Sequence, residues 1–264
     1  MTLHDIMIRE LFFICISDMI TIRIRSKTRI KEAVLTGKEF RDKMSFQMTH
    51  MQIAYNLIDK LLINEGKEEF ILGSVAPDSV HFRENYCIEE KIHTHLFEGC
   101  GPWSDTRDYD RWLYNIGFFW DKFGKDEPDI RRRMFVLGIC VHCHTDYYND
   151  RLIWRDLQDK NIPPMTLEEF REAYYPEARS VDKWLYQNSP DQKQITELLY
   201  NSWEYQIDGY IYPDDLKRLK HHLINVQYNI KEKIDVTDFK FYTSGKILWF
   251  AETVTKRIAS VIHL

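Results

Sequence analysis

A histidine and an aspartate spaced by one helical turn are the residues of this chain best suited to chemistry. His142 and Asp146 lie four residues apart in the stretch after Pro128, whose apolar spacing predicts a helix. Phe135 and Ile139 share their helix face, so the imidazole and the carboxylate should point into the core. Buried polar groups need partners, and neutral histidine nitrogen and aspartate oxygen are ordinary zinc ligands. The pair therefore predicts a metal site.

A hydrogen bond between the two side chains explains the same pair without a metal. With 10 histidines in 264 residues and an ordinary share of aspartates, about one His-x-x-x-Asp pair is expected by chance. Two further residues favour the metal, because His50 lies on the apolar stripe of another predicted helix and Asp78 follows a proline. A cluster of ligands from several segments and a hydrogen-bonded core both stay open.

Helical signals dominate the chain from Thr49 onward. Thr49 and Gln52 fit a capping box that would start the first helix, and apolar residues then repeat at three- and four-residue spacing. A loop of about 25 residues should follow the second helix, and loops of that length are usually functional or disordered. Helices beyond the first are predicted over 68–74, 105–123, 129–150, 167–174, 191–206, 214–229 and 245–263.

The composition also favours helices. Only 10 glycines and 8 prolines occur in 264 residues, which leaves few for the many turns of a β-sandwich or barrel. The net charge of −5 argues against a dedicated nucleic-acid binder, and no apolar run of the length that spans a membrane is present. We therefore predict an all-α, cytoplasmic protein whose five cysteines are reduced.

The first 43 residues differ from the rest of the chain. They contain nine Lys and Arg against six Asp and Glu, whereas residues 44–264 are acidic overall. We predict an N-terminal extension over 1–43 and one all-α domain over 44–264. Met44 and Met48 stand just before the first predicted helix, so a further hypothesis is that translation begins at one of them.

Four motifs in a fixed order carry a resemblance to a known family. They are Thr-His-Met-Gln-Ile-Ala at 49–54, Leu-Gly-Ser-Val-Ala-Pro-Asp at 72–78, Lys-Ile-His-Thr-His-Leu at 91–96 and Leu-Gly-Ile-Cys-Val-His-Cys-His-Thr-Asp at 137–146. Over about residues 44–180 the chain resembles the zinc-dependent phospholipase C family, in its small bacterial branch without secretion signals. The resemblance implies a multi-helix bundle of the phospholipase C and nuclease type, with zinc bound between the helices.

Five metal ligands follow from the resemblance. Three come from separate segments and two from one helix: His50, Asp78, His95, His142 and Asp146. The carboxylate of Asp146 would bridge two metals. Asp78 would also be the catalytic residue, as a general base that orients the attacking water.

Neighbouring residues have weaker claims. His81 and His93 lie close to matching positions, and each stays open as a ligand, as a neighbour of a ligand or as an exposed residue. His144 should project from a different helix face than His142, near the surface or behind the ligands. Cys143 should serve helix packing.

The chain also departs from the family pattern. Secreted members use the amino group of an N-terminal tryptophan as a ligand, and no signal peptide or cleavage site here would create one. They also carry a His-x-x-x-Glu pair, whereas no histidine of this chain has a glutamate four residues later. These residues support one or two ions, zinc or another divalent metal, rather than the family's three.

Such a site suits phosphoester hydrolysis, because a metal supplies positive charge and activates water at neutral pH. We expect cleavage of a small or phospholipid-like phosphodiester, with no nucleic-acid partner and no insertion into a membrane. A non-catalytic helical protein with a structural metal and a nuclease of the same superfamily stay open as alternatives. Five aromatic residues either wall a pocket or belong to the core: Tyr86, Phe97, Trp103, Tyr109 and Trp112.

Overall fold

The computed structural model describes residues 46–262. The predicted extension over 1–43 and the proposed translation start at Met44 lie outside these residues. Within them the chain forms ten α-helices, one 3₁₀ helix and two π-helical turns, with no strand or sheet. The predicted all-α class is confirmed. No helix in this range combines the length and the apolar character needed to cross a membrane.

The α-helices follow one another as α1 Gln47–Lys60, α2 Lys67–Gly73, α3 Ile88–Thr94, α4 Tyr109–Phe123, α5 Ile130–Asn149, α6 Arg155–Asn161, α7 Leu167–Asn188, α8 Gln192–Asn201, α9 Pro213–His222 and α10 Ser244–Val261. The 3₁₀ helix spans Ala76–Phe82, and the π-helical turns span Asp150–Trp154 and Leu223–Gln227. Helix α4 begins at Tyr109 rather than at 105, and α8 ends at Asn201 rather than at 206.

Helix α7 is much longer than predicted, because it continues through Pro176 to Asn188. A proline inside a helix costs about 3 kcal/mol. The residues buried around and beyond it keep one apolar stripe: Tyr174, Ala178, Val181 and Leu185. Burying a single large side chain contributes about 1.5–3 kcal/mol, so the stripe offsets the cost of the proline.

The prediction of a long loop after α2 is wrong, since two short helices occupy most of that stretch. The 3₁₀ helix and α3 occupy this stretch, and every residue of Ala76–Phe82 is buried. Each element is only seven residues long. Apolar periodicity needs a window of about 11–18 residues to indicate a helix, so segments this short escape it.

The predicted capping box at Thr49 is also wrong. Helix α1 begins two residues earlier, so Met48 and Thr49 lie inside it and not before it. The Thr49 backbone N–H and hydroxyl both donate to a carboxylate oxygen of Asp182 in α7, at 2.9 and 2.8 Å. The Met48 N–H donates to the hydroxyl of Tyr228 at 2.6 Å. Partners distant in sequence thus satisfy the free N–H groups at the start of α1.

Helix α5 lies at the centre of the fold and contacts α1, α2, α4, α10 and the 3₁₀ helix. Its closest neighbour is α2, and a glycine on each helix allows the approach. A Cβ on Gly138 would lie 2.4 Å from the carbonyl oxygen of Phe70, and one on Gly73 would lie 2.2 Å from that of Phe135. Only hydrogen fits at these two positions, so the two backbones meet directly.

Replacing Gly138 by alanine should therefore destabilise the protein, because the added methyl group meets backbone and not a flexible side chain. We expect a loss of about 1–3 kcal/mol or more in the free energy of unfolding, measured by urea denaturation. The matched control is Gly117→Ala in α4, where nothing lies within 4 Å of an added Cβ. That change should be neutral or stabilise the helix by up to about 1 kcal/mol. Equal stability of the two variants would contradict this packing.

Candidate metal centre

The five predicted ligands lie together, although four separate segments supply them. His50 comes from α1, Asp78 from the 3₁₀ helix, His95 from the residue after α3, and His142 and Asp146 from α5. They form two overlapping groups whose ligand atoms all lie within 4.8 Å of one another: His50, His142 and Asp146, and Asp78, His95 and His142. Each group has the composition of a zinc site.

The carboxylate of Asp146 faces three imidazoles. Its Oδ1 lies 3.3 Å from His50 Nε2, and its Oδ2 lies 3.6 Å from the Nε2 atoms of His95 and His142. The rings of His50 and His142 stack with their centroids 4.0 Å apart. The two oxygens thus point to different imidazoles, as a carboxylate that bridges two ions would require.

Among the described residues, His142 is one of two histidines with no exposed surface, and it has one ring nitrogen hydrogen-bonded and the other without a hydrogen-bond partner. His142 Nδ1 lies 2.8 Å from the carbonyl oxygen of Ser74. A carbonyl only accepts, so Nδ1 carries the proton and Nε2 keeps its lone pair. Within residues 46–262, the buried Nε2 atoms of His142 and His95 have no hydrogen-bond partner. A buried lone pair with its ring fixed from behind is the usual state of a metal-binding histidine.

The protonation states also suit metal binding. Burial, together with the neighbouring His50, lowers the pKa of His142 to about 3, so this imidazole is neutral at pH 7. Burial alone would raise the pKa of Asp146, but the imidazoles of His142 and His50 outweigh it and hold this pKa below its usual range. Neutral imidazole and ionised carboxylate are the forms that bind a divalent ion.

Asp78 has polar neighbours at both of its carboxylate oxygens. The side-chain amide of Gln47 donates to its Oδ2, while Lys91 Nζ and His81 Nε2 lie 3.7 and 3.3 Å from its Oδ1. Burial alone would raise the pKa of Asp78, but the charge of Lys91 and the hydrogen bond from His81 hold it well below the usual range. The carboxylate is therefore ionised at neutral pH.

The histidines left open by sequence have different positions. His81 is buried against Asp78, and burial lowers its pKa to about 4. His93 faces away from the cluster, where it contacts Glu98 and stacks on the ring of Tyr210 at 4.0 Å. His144 is half-buried, and no hydrogen bond, ion pair or ring contact joins it to the five ligands. Of these three histidines, only His81 belongs to the site.

The cluster opens onto a cavity of about 700 Å³. His50, Asp78 and Asp146 line it directly, and its aromatic wall consists of Phe46, Phe97, Trp103, Trp112, Trp154, Tyr174 and Tyr175. Two other aromatic residues singled out by sequence lie outside this wall. The ring of Tyr86 packs on His81 with centroids 4.6 Å apart, and the hydroxyl of Tyr109 donates to Asp150.

The cavity also contains charged residues that sequence reasoning missed. Lys91, Asp150, Arg171 and Arg179 all line it. Asp150 could have been found from its spacing, since it lies one further turn along the face of His142 and Asp146. In the structure, burial raises the pKa of Asp150. The two arginines had no such signal, because Arg171 lies inside the helix predicted over 167–174 without a partner pattern around it, and Arg179 lies beyond the predicted end of that helix.

No family model, no curated protein and no solved structure matches this chain. The resemblance to the zinc-dependent phospholipase C family stays a prediction from the four motifs.

Replacing His142 by alanine should remove the nitrogen common to both groups. After equilibration with zinc and removal of free ion, we expect the zinc content measured by mass spectrometry to fall by at least half. The melting temperature should also stop rising with added zinc, because a ligand that binds only the folded state stabilises it by mass action.

His144→Ala is the matched control, two residues away on another face of α5. It should keep the zinc content and the zinc response of the unaltered protein. Equal zinc loss in both variants, or full zinc content in His142→Ala, would contradict the assignment.

Proposed function

We propose that the protein is a metal-dependent phosphoester hydrolase that holds one or two zinc or similar divalent ions on His50, Asp78, His95, His142 and Asp146. The observation that supports this most is the buried cluster of bare imidazole nitrogens and ionised carboxylates at the edge of a large cavity. Its cleavage reaction would be of the phospholipase C kind, converting a phosphodiester into an alcohol and a phosphomonoester.

Access to the cluster separates this proposal from a purely structural metal. A structural zinc is enclosed by four protein ligands, whereas a catalytic one keeps a position for water. Here the closed side is formed by His95 and His142, whose side chains have no exposed surface. Asp78, Asp146 and His50 instead line the cavity, so water and substrate can reach that side. This arrangement favours catalysis.

When bound, a divalent ion would supply Lewis acidity. It would polarise a phosphoryl oxygen and lower the pKa of water, so that hydroxide is available at neutral pH. The chain's own contribution centres on Asp78. Gln47 donates to its Oδ2, while its Oδ1 lies 3.3 Å from the Nε2 atoms of His81 and His95, and the residue lines the cavity beside Lys91. An ionised carboxylate held in this way accepts a hydrogen bond from the attacking water and orients it as the general base.

The cavity fits a small substrate. Its volume of about 700 Å³ lies within the range of about 300–1,000 Å³ typical of sites for small molecules, and its wall is mainly aromatic. These features suit a small phosphodiester or the head group of a phospholipid. The nuclease alternative is less favoured, because the net charge of −5 offers little attraction to a polyanion.

A screen of zinc-loaded protein tests the activity. The substrates are bis(p-nitrophenyl) phosphate, p-nitrophenyl phosphocholine and single-stranded DNA. We expect hydrolysis of at least one small diester, loss of that hydrolysis with a chelator, and recovery with zinc. Bound zinc without hydrolysis of any substrate would favour the structural metal, and preferred cleavage of DNA would favour the nuclease.

Asp78→Asn should lower kcat for a cleaved diester by about 100-fold or more, since general-base catalysis contributes at least this much. Zinc content measured on the same samples separates a lost base from a lost ligand. The control is Asp156→Asn, an exposed carboxylate of α6 that pairs with Lys160 outside the cavity. It should leave kcat unchanged. An unchanged kcat in Asp78→Asn would exclude Asp78 as the base.

A further inference from the structure

Helix α7 presents two arginines to the cavity that contains the metal cluster. Arg171, Tyr175 and Arg179 are spaced by four residues, so they form one stripe along the helix, and all three line the cavity. Both arginine residues are half-buried. Their charges act on the Tyr175 between them, where they oppose the rise in pKa that burial causes. The stripe therefore carries two positive charges on one wall.

Neither arginine has an acidic partner in the described part of the chain. The arginine ion pairs found there belong to Arg83, Arg107, Arg132 and Arg155. Arg171 lies near the ring of Trp154, with its guanidinium carbon 6.0 Å from the ring centroid. Burial lowers the pKa of Arg179, with no carboxylate to counter it. A partly buried charge without a partner is costly, and an anionic ligand would offset that cost.

The acidic residues of the cavity do not fill this role. Asp78 and Asp146 lie among the imidazoles and Lys91, and Asp150 accepts a hydrogen bond from Tyr109. Glu172 is exposed to solvent. The guanidinium groups are thus available to an anion, and their planar fork of donors matches phosphate oxygens.

We propose that Arg171 and Arg179 bind a second phosphate group of the substrate, carried on one arm of the diester. This inference rests on the proposed function, because it takes the phosphate to be cleaved as bound at the candidate metal centre. The preferred substrates are then diesters with an anionic arm rather than a neutral or a choline arm. When water displaces the other arm as an alcohol, the cleaved phosphate stays on the anionic arm, and the product is a molecule with two phosphates, one for the candidate metal centre and one for the arginines.

Product-like ligands test this without catalysis. Glucose 1-phosphate and glucose 1,6-bisphosphate differ by one phosphate, and isothermal titration calorimetry measures the affinity of each for the zinc-equilibrated protein. We expect the bisphosphate to bind about tenfold more tightly or better, as charge-assisted hydrogen bonds provide. In the double variant R171Q/R179Q this preference should fall to nearly one, with the monophosphate affinity kept.

The matched control is Lys183→Gln, which removes a positive charge from the same helix outside the cavity. It should keep the preference, and thermal unfolding of each variant verifies that it is folded. No preference in the unaltered protein, or an equal preference in R171Q/R179Q, would overturn the arginine site. A preference that depends on the arginines, in protein that binds no zinc and cleaves no diester, would support the arginine site and overturn only the hydrolase.

Discussion

The hydrogen bond between His142 Nδ1 and the carbonyl oxygen of Ser74 is the contact on which the candidate centre depends. It holds the proton on one ring nitrogen and leaves the other bare among the carboxylates. The contact exists because Ser74 directly follows α2, which meets α5 backbone to backbone at Gly73 and Gly138. Two residues without side chains thus determine the tautomer of a buried imidazole one turn further along α5.

Burial explains why so many groups surround the two carboxylates. Asp78 and Asp146 are largely removed from water, and burial alone would favour their neutral forms. The imidazoles around them and, for Asp78, the charge of Lys91 outweigh burial and hold both pKa values below the usual range. A divalent ion would do this more strongly, and it would also occupy the bare imidazole nitrogens. The same electrostatic requirement therefore accounts for the histidines and for the proposed metal.

Helix α7 joins the site to the rest of the fold. Its Asp182 binds the start of α1, the helix that carries His50, and its Arg171 and Arg179 line the cavity. A shift of α7 would therefore move a predicted ligand and the proposed phosphate-binding arginines together. The apolar stripe that continues this helix past Pro176 therefore also positions Arg179 and Asp182, which lie beyond the proline.

Local helical geometry was enough to predict part of the fold and of the candidate metal centre from the amino-acid sequence. Residues four apart share a helix face in any α-helix, so the inward pairing of His142 with Asp146 and the separate position of His144 followed from spacing alone. The all-helical class followed from apolar periodicity and from the scarcity of glycine and proline. The apolar stripe around His50 and the proline before Asp78 already favoured a cluster with that pair, whereas His95 was expected from the motifs alone.

Tertiary structure decided what lies opposite each of those faces. His81 and His93 come from one short stretch, yet only His81 turns towards Asp78. The start of α1 is capped by Asp182, 133 residues beyond Thr49, and not by a neighbour in sequence. One part of the cavity wall came from α7, and its Arg179 lies beyond a proline at which a local pattern predicts an end. Periodicity reports which side of a segment is apolar, but the partner of a buried polar group depends on which distant segment packs there.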